Sequence, residues 1–261
     1  MITVKNAAKA YDGQFVLEGV NWHINQGEWW GIIGPNGSGK STLLHLISGT
    51  EKLTNGDISI QGKPISNYSR KELSRIVAVL QQDGVPQIHF PVRDVIEMGR
   101  FPYQDWLGRE QQGYEEKDQL LNEIMSKLEL DSIADRSVDE LSGGQRQRVA
   151  LGKVMAQEPQ VLLLDEPTTY LDIRYQLQFM ELVQKWRMDN GLTIIAVLHD
   201  LNLAAQFCDK LLVLKDGKAV SSGTPAEILT RDNIHSVFKV NPAIVAHPDS
   251  GVPQLLLKRK L

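Results

Sequence analysis

A glycine-rich segment in the first fifth of the chain constrains this sequence most. Gly34-Pro35-Asn36-Gly37-Ser38-Gly39-Lys40-Ser41-Thr42 follows the apolar run Trp29–Ile33 and precedes a helix predicted over 42–48. Glycines let the backbone curl so that successive N–H groups point at one anion, and the helix N-terminus adds its positive dipole end. The strand, loop and helix context makes a chance glycine turn the weaker interpretation. The sequence therefore predicts a phosphate-binding loop.

Two residues of this loop are expected to act on a bound nucleotide. Lys40 places a full positive charge near the β- and γ-phosphates, and the Ser41 hydroxyl is a ligand for Mg²⁺. The other loop residues expected to contact the nucleotide are Gly34, Asn36, Gly37, Ser38, Gly39 and Thr42.

A second segment supplies carboxylates. The apolar run Val161–Leu164 is followed by Asp165 and Glu166, and ligands bind at the carboxyl ends of strands in open α/β sheets. Asp165 is predicted to hold Mg²⁺, and Glu166 to orient or deprotonate the attacking water. The structural alternative is a strand that ends in a solvated acidic turn before Pro167.

Composition excludes several classes of protein. The chain has 261 residues, 42% apolar and 23% charged, values typical of a globular protein and not of a disordered or collagen-like one. Its one cysteine, Cys208, cannot form an internal disulfide and suits a reducing compartment. A net charge of −4 gives no general attraction to nucleic acid.

No apolar run approaches the roughly 20 residues of a membrane span, and no signal peptide is expected, so the predicted location is cytoplasmic.

Turn residues divide the first third of the chain into short strands. Turns are predicted at Asp12-Gly13, Asn25-Gln26-Gly27 and Asn55-Gly56-Asp57. The intervening apolar runs predict an antiparallel β layer at the front of the chain, with strands at 16–17, 20–24, 29–33 and 58–60.

The rest of the chain alternates helix and strand. Between 92 and 141, Leu120, Ile124 and Leu128 recur at helical spacing, with Leu121 and Met125 beside them, which predicts a helical insert. The runs 161–164 and 193–198 are predicted strands of a parallel βαβ unit. Its helix is expected to bury one face, consisting of Leu177, Met180, Val183 and Trp186.

Leu141-Ser142-Gly143-Gly144-Gln145 precedes a helix predicted over 145–156. A serine and two glycines that open a helix form a second anion site with exposed N–H groups; a glycine turn between helices is the structural alternative. Together with the phosphate-binding loop and Asp165-Glu166, this segment resembles the signature of the ATP-binding cassette (ABC) family. The resemblance covers nearly the whole chain.

The resemblance implies an α/β fold, the P-loop NTPase of the ABC type, with a mixed core sheet, an N-terminal antiparallel β layer and a helical subdomain. It implies one ABC ATPase domain over 1–261, with a core at 1–90 and 155–240, a helical subdomain at 91–154 and a small extension at 241–261. The implied activity is Mg²⁺-dependent hydrolysis of ATP to ADP and phosphate.

Further positions match family residues one by one. Tyr11 resembles the aromatic residue that stacks on adenine, and Gln82 the glutamine that senses the γ-phosphate and Mg²⁺. Gln81 stands where the family often has proline, so the resemblance alone does not choose between the two glutamines. Asp172, in Tyr170-Leu171-Asp172, matches the residue that communicates across a dimer, and His199 the histidine that contacts the γ-phosphate. Catalytic roles are thus implied for Gln82, Glu166 and His199, Mg²⁺ contacts for Ser41, Gln82 and Asp165, and nucleotide contacts for Tyr11, the loop, Ser142, Gly143, Gly144, Gln145 and Asp172.

The resemblance also implies partners. In ABC ATPases the signature of one copy faces the phosphate-binding loop of another, so two ATP molecules are sandwiched in a head-to-tail dimer. Because the chain carries one cassette and no membrane helices, the expected partners are integral membrane permease subunits and an extracytoplasmic substrate-binding protein, with no nucleic acid. The implied location is peripheral, at the cytoplasmic face of the cell membrane.

Three segments resemble importers of ferric siderophores, haem and cobalamin: Gly99-Arg100-Phe101-Pro102-Tyr103-Gln104, Pro167-Thr168-Thr169-Tyr170-Leu171-Asp172-Ile173 and His247-Pro248-Asp249-Ser250-Gly251-Val252-Pro253. The favoured cargo is a ferric siderophore or another iron chelate, with haem or cobalamin as alternatives. A hypothesis from another class is a soluble ABC ATPase without transport, for which stimulation by nucleic acid would be evidence.

Overall fold

A computed structural model describes residues 1–107, 109–110, 114–169 and 171–257. Tyr170 and the last residues of the predicted extension, 258–261, lie outside the described residues, as do 108 and 111–113 of the predicted helical subdomain. The strands are β1 (Ile2–Tyr11), β2 (Gln14–Ile24), β3 (Trp29–Ile33), β4 (Asn55–Ile60), β5 (Lys63–Pro64), β6 (Val77–Leu80), β7 (Val161–Asp165), β8 (Thr193–Val197), β9 (Lys210–Lys215), β10 (Lys218–Gly223), β11 (Ala243–Ala246) and β12 (Pro253–Leu256). The α-helices are α1 (Lys40–Ser48), α2 (Arg70–Ser74), α3 (Val92–Glu97), α4 (Tyr114–Lys127), α5 (Gly143–Ala156), α6 (Ile173–Asn190), α7 (Leu201–Phe207), α8 (Pro225–Ile228) and α9 (Arg231–Phe238).

The chain divides into two compact units. The first unit comprises residues 1–68 and 193–261, and the second unit comprises residues 69–192. Within the described ranges, no helix combines the length and the apolar character that crossing a membrane requires.

An antiparallel sheet lies at the front of the first unit, as the turn pattern predicts. Its strand order is β2-β1-β4-β5. The β1–β2 hairpin turns at Asp12 and Gly13, whose φ angles of 48° and 80° are those of the primed turns that match strand twist. Ile2 and Ile24 face each other in this hairpin and are fully buried.

The second sheet of the first unit is mixed. In it β3 pairs in parallel with both β8 and β9, and β10 pairs antiparallel with β9. The prediction that 29–33 belongs to the antiparallel front layer is therefore wrong. All five residues of β3 are buried, which is typical of a parallel strand covered on both faces.

Helices dominate the second unit. Helices α3 and α4 lie in the range 92–141, where the apolar spacing predicts helix; α5 contacts both, and Leu121, Ile124, Met125 and Leu128 are buried. In the same unit β6 and β7 pair in parallel.

One face of α6 differs from the prediction. Met180, Val183 and Trp186 are buried as expected, but Leu177 is 38% exposed. Phe179 is buried instead, so the buried face of the first turns consists of Phe179, Met180 and Val183, and Leu177 lies outside it.

Candidate active site

The glycine-rich loop of the first unit has a backbone that only glycine accommodates at two positions. Gly34 has a φ of 154° and Gly39 a φ of 95°. A Cβ atom at Gly34 would lie 2.0 Å from the carbonyl oxygen of Leu214, and one at Gly39 would lie 2.6 Å from Leu17 Cδ2. The loop is therefore pressed against its own unit, and its conformation is fixed by packing.

Lys40 and Ser38 put polar groups inside this loop. Lys40 is 5% exposed, and its Nζ donates hydrogen bonds to the carbonyl oxygens of Gly34 and Pro35, both at 3.0 Å. Ser38 is 2% exposed, and its Oγ is a buried atom without a hydrogen-bond partner. An unsatisfied buried hydroxyl is costly, and a phosphate oxygen would satisfy it. The loop therefore fits a phosphate group.

Helix α1 leaves its amino end open to an anion. The N-cap residue is Gly39, which offers no side chain to the first-turn N–H groups, and the first turn, with Ser41 and Thr42, contains no acidic residue. No capping side chain therefore competes with a phosphate for these donors. The helix dipole also favours a negative charge at this end of the helix.

Tyr11 lies at the end of β1, before the hairpin turn. Its ring is 42% exposed, and Lys9 Nζ lies 4.7 Å from the ring centroid. An exposed, flat ring at the surface of the first unit suits stacking on a base.

Glu166 is the centre of a hydrogen-bonded cluster in the second unit. Gln82 Nε2 donates to Glu166 Oε2 at 3.1 Å, and the Thr169 hydroxyl donates to the same oxygen at 3.4 Å. Gln81 is exposed and is absent from these contacts, which favours Gln82 over its neighbour. Glu166 also has a φ of +49°, an unfavourable conformation for a residue with a Cβ and one often found at functional sites.

Sequence reasoning missed Thr169. Its backbone N–H donates to the carbonyl oxygen of Glu166 at 3.2 Å, so the two residues close one turn and their side chains meet. A hydroxyl residue three positions after the glutamate was the available signal.

The signature segment begins α5 with a capping box. Ser142 Oγ accepts from the N–H of Gln145 at 3.3 Å, and Gln145 Oε1 accepts from the N–H of Ser142 at 3.0 Å. The serine hydroxyl hydrogen remains available for an acceptor oxygen. Gly143 has open space around its Cα, whereas Gly144 lies over the Tyr175 ring.

Two polar side chains shape the segment after Glu166. Asp172 Oδ1 accepts from the N–H of Tyr175 at 3.1 Å and caps α6. Gln147, a buried residue of α5, donates to the carbonyl oxygen of Pro167 at 2.9 Å. The helix that carries the signature is thereby bonded to the segment between Glu166 and Asp172.

Asp165 and His199 stand at strand ends. Asp165 is the last residue of β7 in the second unit and is half-buried. His199 follows β8 in the first unit and is exposed. Asp200, the next residue, caps α7 by accepting from the N–H groups of Asn202 at 2.7 Å and Leu203 at 3.1 Å.

Glu28, whose carboxyl group has a strongly shifted pKa, precedes β3, at the end of this strand opposite to the glycine-rich loop. Burial raises the pKa of Glu28, but hydrogen bonds from Asn25, Lys210 and Trp30 outweigh it and lower this pKa from 4.5 to about 2. Trp30 Nε1 donates at 2.7 Å and Lys210 Nζ at 2.8 Å. Glu28 is therefore a structural anion that ties β3 to β9.

Comparison with known proteins decides the family. The profile described as "ABC transporter" matches residues 17–169, a range that includes the glycine-rich loop, the signature and Glu166. The chain belongs to the ABC transporter ATPase family. Its predicted fold class and its resemblance to ABC ATPases are thus confirmed, and as a member of this family it is an ATP-binding, ATP-hydrolysing transporter subunit.

Two relatives of this ABC ATPase have curated functions. It is 41% identical over 240 residues to the petrobactin import ATP-binding protein FpuC of Bacillus anthracis, covering 92% of this chain and 87% of that protein. It is 37% identical over 243 residues to the ferric enterobactin transport ATP-binding protein FepC of Escherichia coli, covering 93% and 89% respectively.

A nucleotide-bound dimer is among the solved structures that this ABC ATPase resembles. It is a dimeric, post-hydrolysis state of the ATP-binding cassette MJ0796 bound to ADP and Pi. The ABC ATPase matches it with a TM-score of 0.74 and 31% identity over 86% of this chain and 98% of that one.

Proposed function

We propose that this ABC ATPase hydrolyses ATP to energise the import of a ferric siderophore or another iron chelate. The names of FpuC and FepC, which refer to petrobactin import and ferric enterobactin transport, support the cargo class. The observation that carries the ATP site is the glycine-rich loop with its buried, unpartnered Ser38 hydroxyl.

ATP binding is assigned to the first unit. Tyr11 stacks on adenine, the loop N–H groups and the Ser38 hydroxyl bind phosphate oxygens, and Lys40 turns its ammonium from the loop carbonyls to the β- and γ-phosphates. This exchange replaces two neutral acceptors with charged ones, which form stronger hydrogen bonds.

The hydroxyl of Ser41, the carboxylate of Asp165 and the amide oxygen of Gln82 are the oxygen ligands that Mg²⁺ prefers. When bound, Mg²⁺ neutralises charge that develops on the β- and γ-phosphate oxygens. Because the amide nitrogen of Gln82 bonds Glu166, the amide oxygen is the atom of this side chain that we assign to Mg²⁺.

Hydrolysis is assigned to Glu166, Gln82 and His199. The Glu166 carboxylate accepts a proton from water as the water oxygen forms a bond to the γ-phosphorus, and the bond to the ADP oxygen breaks. Gln82 and Thr169 orient the carboxylate by donating hydrogen bonds to its Oε2. His199 donates a hydrogen bond to the γ-phosphate.

A second copy of the chain completes the site. Ser142, Gly143, Gly144 and Gln145 of one copy present the amino end of α5 to the γ-phosphate held by the other, and Asp172 lies at the same interface. The dimeric MJ0796 structure with ADP and Pi supports this arrangement. Because Gln147 bonds α5 to Pro167, closure of the dimer is transmitted to the segment beside Glu166.

A permease is assigned to the second unit, around residues 92–109. Phe101 and Trp106 are 62% and 89% exposed in this segment, and exposed aromatic side chains are typical anchors at protein interfaces. An apolar cytoplasmic helix of the permease is the fitting partner, which places the ABC ATPase at the cytoplasmic face of the membrane. An extracytoplasmic substrate-binding protein delivers the chelate to the permease.

Uptake in cells tests this proposal. Cells that lack the gene are complemented with wild type or with Glu166→Gln, and uptake of a labelled ferric siderophore is measured beside haem and cobalamin. Siderophore uptake restored only by wild type is expected. Siderophore uptake that survives deletion, with loss of haem or cobalamin uptake instead, would contradict the cargo, and unchanged uptake of all three would contradict transport.

A further inference from the structure

The last described part of the chain is a small hairpin, formed by β11 and β12 in antiparallel register. Its loop closes through local bonds: the N–H of His247 donates to the carbonyl oxygen of Val252, and the N–H of Gly251 donates to that of His247, both at 2.9 Å. Gly251 has a φ of +72°, which glycine adopts without strain. A two-stranded hairpin of this size is marginally stable alone in water, so contacts outside it decide whether it stays folded.

Asn202, in the first turn of α7, bonds this hairpin through its side chain. Asn202 Oδ1 accepts from the N–H of Leu255 at 2.7 Å, and Asn202 Nδ2 donates to the carbonyl oxygen of Leu255 at 3.3 Å. The amide group thus bonds both backbone groups of one residue in β12, as a neighbouring strand would. The Leu255 side chain is 8% exposed, so the same residue also packs against the unit.

The two ends of α7 are held by different parts of the first unit. At its carboxyl end, the Phe207 ring lies 6.0 Å from the Trp29 ring, and Cys208 Sγ fills the space beside Gly31; both partners belong to β3. At its amino end, the bonds from Asp200 remain within the helix itself. At this end, Asn202 also bonds Leu255 of the hairpin, outside the helix.

The amino end of α7 is the end that continues into His199. A helix of seven residues has little stability of its own, so its first turn follows the contacts made there. We propose that the hairpin, acting through Asn202, positions α7 and thereby holds His199 where it meets the γ-phosphate. This inference rests on the role of His199 given under the proposed function. In this inference Asn202 is a positioning residue, and the C-terminal hairpin contributes to hydrolysis through it.

Steady-state kinetics of the purified full-length chain test this inference. In Asn202→Ala, kcat for ATP hydrolysis is expected to fall about tenfold, because small misplacements of a reacting-site group cost one to two orders of magnitude. The KM for ATP is expected to stay within about twofold of wild type, since the residues assigned to ATP binding, Tyr11 and the glycine-rich loop, lie outside α7 and the hairpin. A thermal midpoint near that of wild type separates this outcome from unfolding.

Two variants serve as controls. Gln206→Ala removes a contact between the same helix and the same hairpin that spans 3.5 Å, the limit of a hydrogen bond, and is expected to leave kcat unchanged. Asn202→Asp keeps the acceptor for the N–H of Leu255 and loses the weaker donor, so its kcat is expected to lie between those of wild type and Asn202→Ala. A kcat in Gln206→Ala as low as in Asn202→Ala would contradict a specific role of Asn202.

His199→Ala separates failure of the inference from failure of the proposed function. If Asn202 acts through His199, the double variant His199→Ala/Asn202→Ala hydrolyses ATP at the rate of His199→Ala alone. The His199 imidazole NMR signals should also move in Asn202→Ala but not in Gln206→Ala. Wild-type kcat in Asn202→Ala, or an equal further loss in the double variant, would overturn the inference alone. Wild-type kcat in His199→Ala would overturn the role of His199 as well.

Discussion

The glycine-rich loop of the first unit and the Glu166 cluster of the second unit are built in different ways. In the loop, main-chain groups, two glycines in unusual conformations and the buried Lys40 and Ser38 define the shape. Around Glu166, side-chain hydrogen bonds of 3.1 and 3.4 Å define it, and these side chains are half-buried. A packed backbone holds its geometry without a ligand, whereas side-chain bonds rearrange at small cost. The loop is therefore suited to binding ATP, and the cluster is suited to hydrolysis, the step that follows closure of the dimer in the proposed function.

The largest effect expected from this contrast lies in the loop. Gly34→Ala places a Cβ against the Leu214 carbonyl and should weaken ATP binding about 100-fold, because relieving such a clash costs about 2 to 3 kcal/mol. Gly37→Ala is the matched control, since its Cβ meets nothing within 4 Å and only its φ of +77° is strained. Titration calorimetry measures both. Equal affinities of the two variants would show that the packed backbone does not govern binding.

A smaller effect is expected in the cluster. Gln82→Ala removes the 3.1 Å bond to Glu166 and should lower kcat about tenfold, while ATP affinity measured without Mg²⁺ stays near that of wild type, because the loop is intact. Gln81→Ala alters the exposed neighbour and should leave kcat unchanged. A kcat in Gln81→Ala as low as that in Gln82→Ala would contradict the assignment of this role to Gln82 over its neighbour.

Thr169→Val should have a weaker effect on the same cluster. The hydroxyl is 3.4 Å from Glu166 Oε2, a long hydrogen bond, so a threefold decrease in kcat is about what its loss predicts. Serine at this position keeps the hydroxyl and should restore the rate. A Thr169→Ser variant as slow as Thr169→Val would contradict this role, because serine keeps the hydroxyl.

The smallest effect concerns stability and pH. The folded-state pKa of Glu28 is lowered from 4.5 to about 2, so the stability it contributes is present above pH 4.5 and is lost as pH falls toward 2. Glu28→Gln should therefore lower the free energy of unfolding by about 1 to 2 kcal/mol at pH 7, with a difference from wild type that shrinks below pH 4.5. Urea denaturation at pH 7 and pH 3 measures it. A difference that grows on acidification would contradict this account.

Local patterns predict the loop and its flanking elements well. The loop conformation depends on glycines and a following helix, which are all adjacent in sequence, and Val161–Leu164 is a strand because its residues are continuously apolar.

The prediction for Leu177 is wrong because helical periodicity gives the spacing of a face but not its exact angle. The sheet of 29–33 was assigned wrongly because its partners, β8 and β9, lie more than 160 residues away.

Contacts between distant residues were beyond sequence reasoning. The bond of Asn202 to Leu255 spans 53 positions, and neither residue belongs to a motif that announces it. Gln147 and Pro167 are similarly linked across 20 positions. Such pairs depend on how elements pack, which periodicity and turn signals do not encode.

ATP binding by the loop and ATP hydrolysis by Glu166 are the two halves of the proposed function. The most direct test is to measure ATP affinity and phosphate release on the same preparation of Glu166→Gln, which removes the carboxylate charge and keeps the side-chain shape. We expect an ATP affinity equal to or above that of wild type, a stabilised closed dimer and phosphate release reduced about 1000-fold, as for loss of a general base. Phosphate release near the wild-type rate would contradict it.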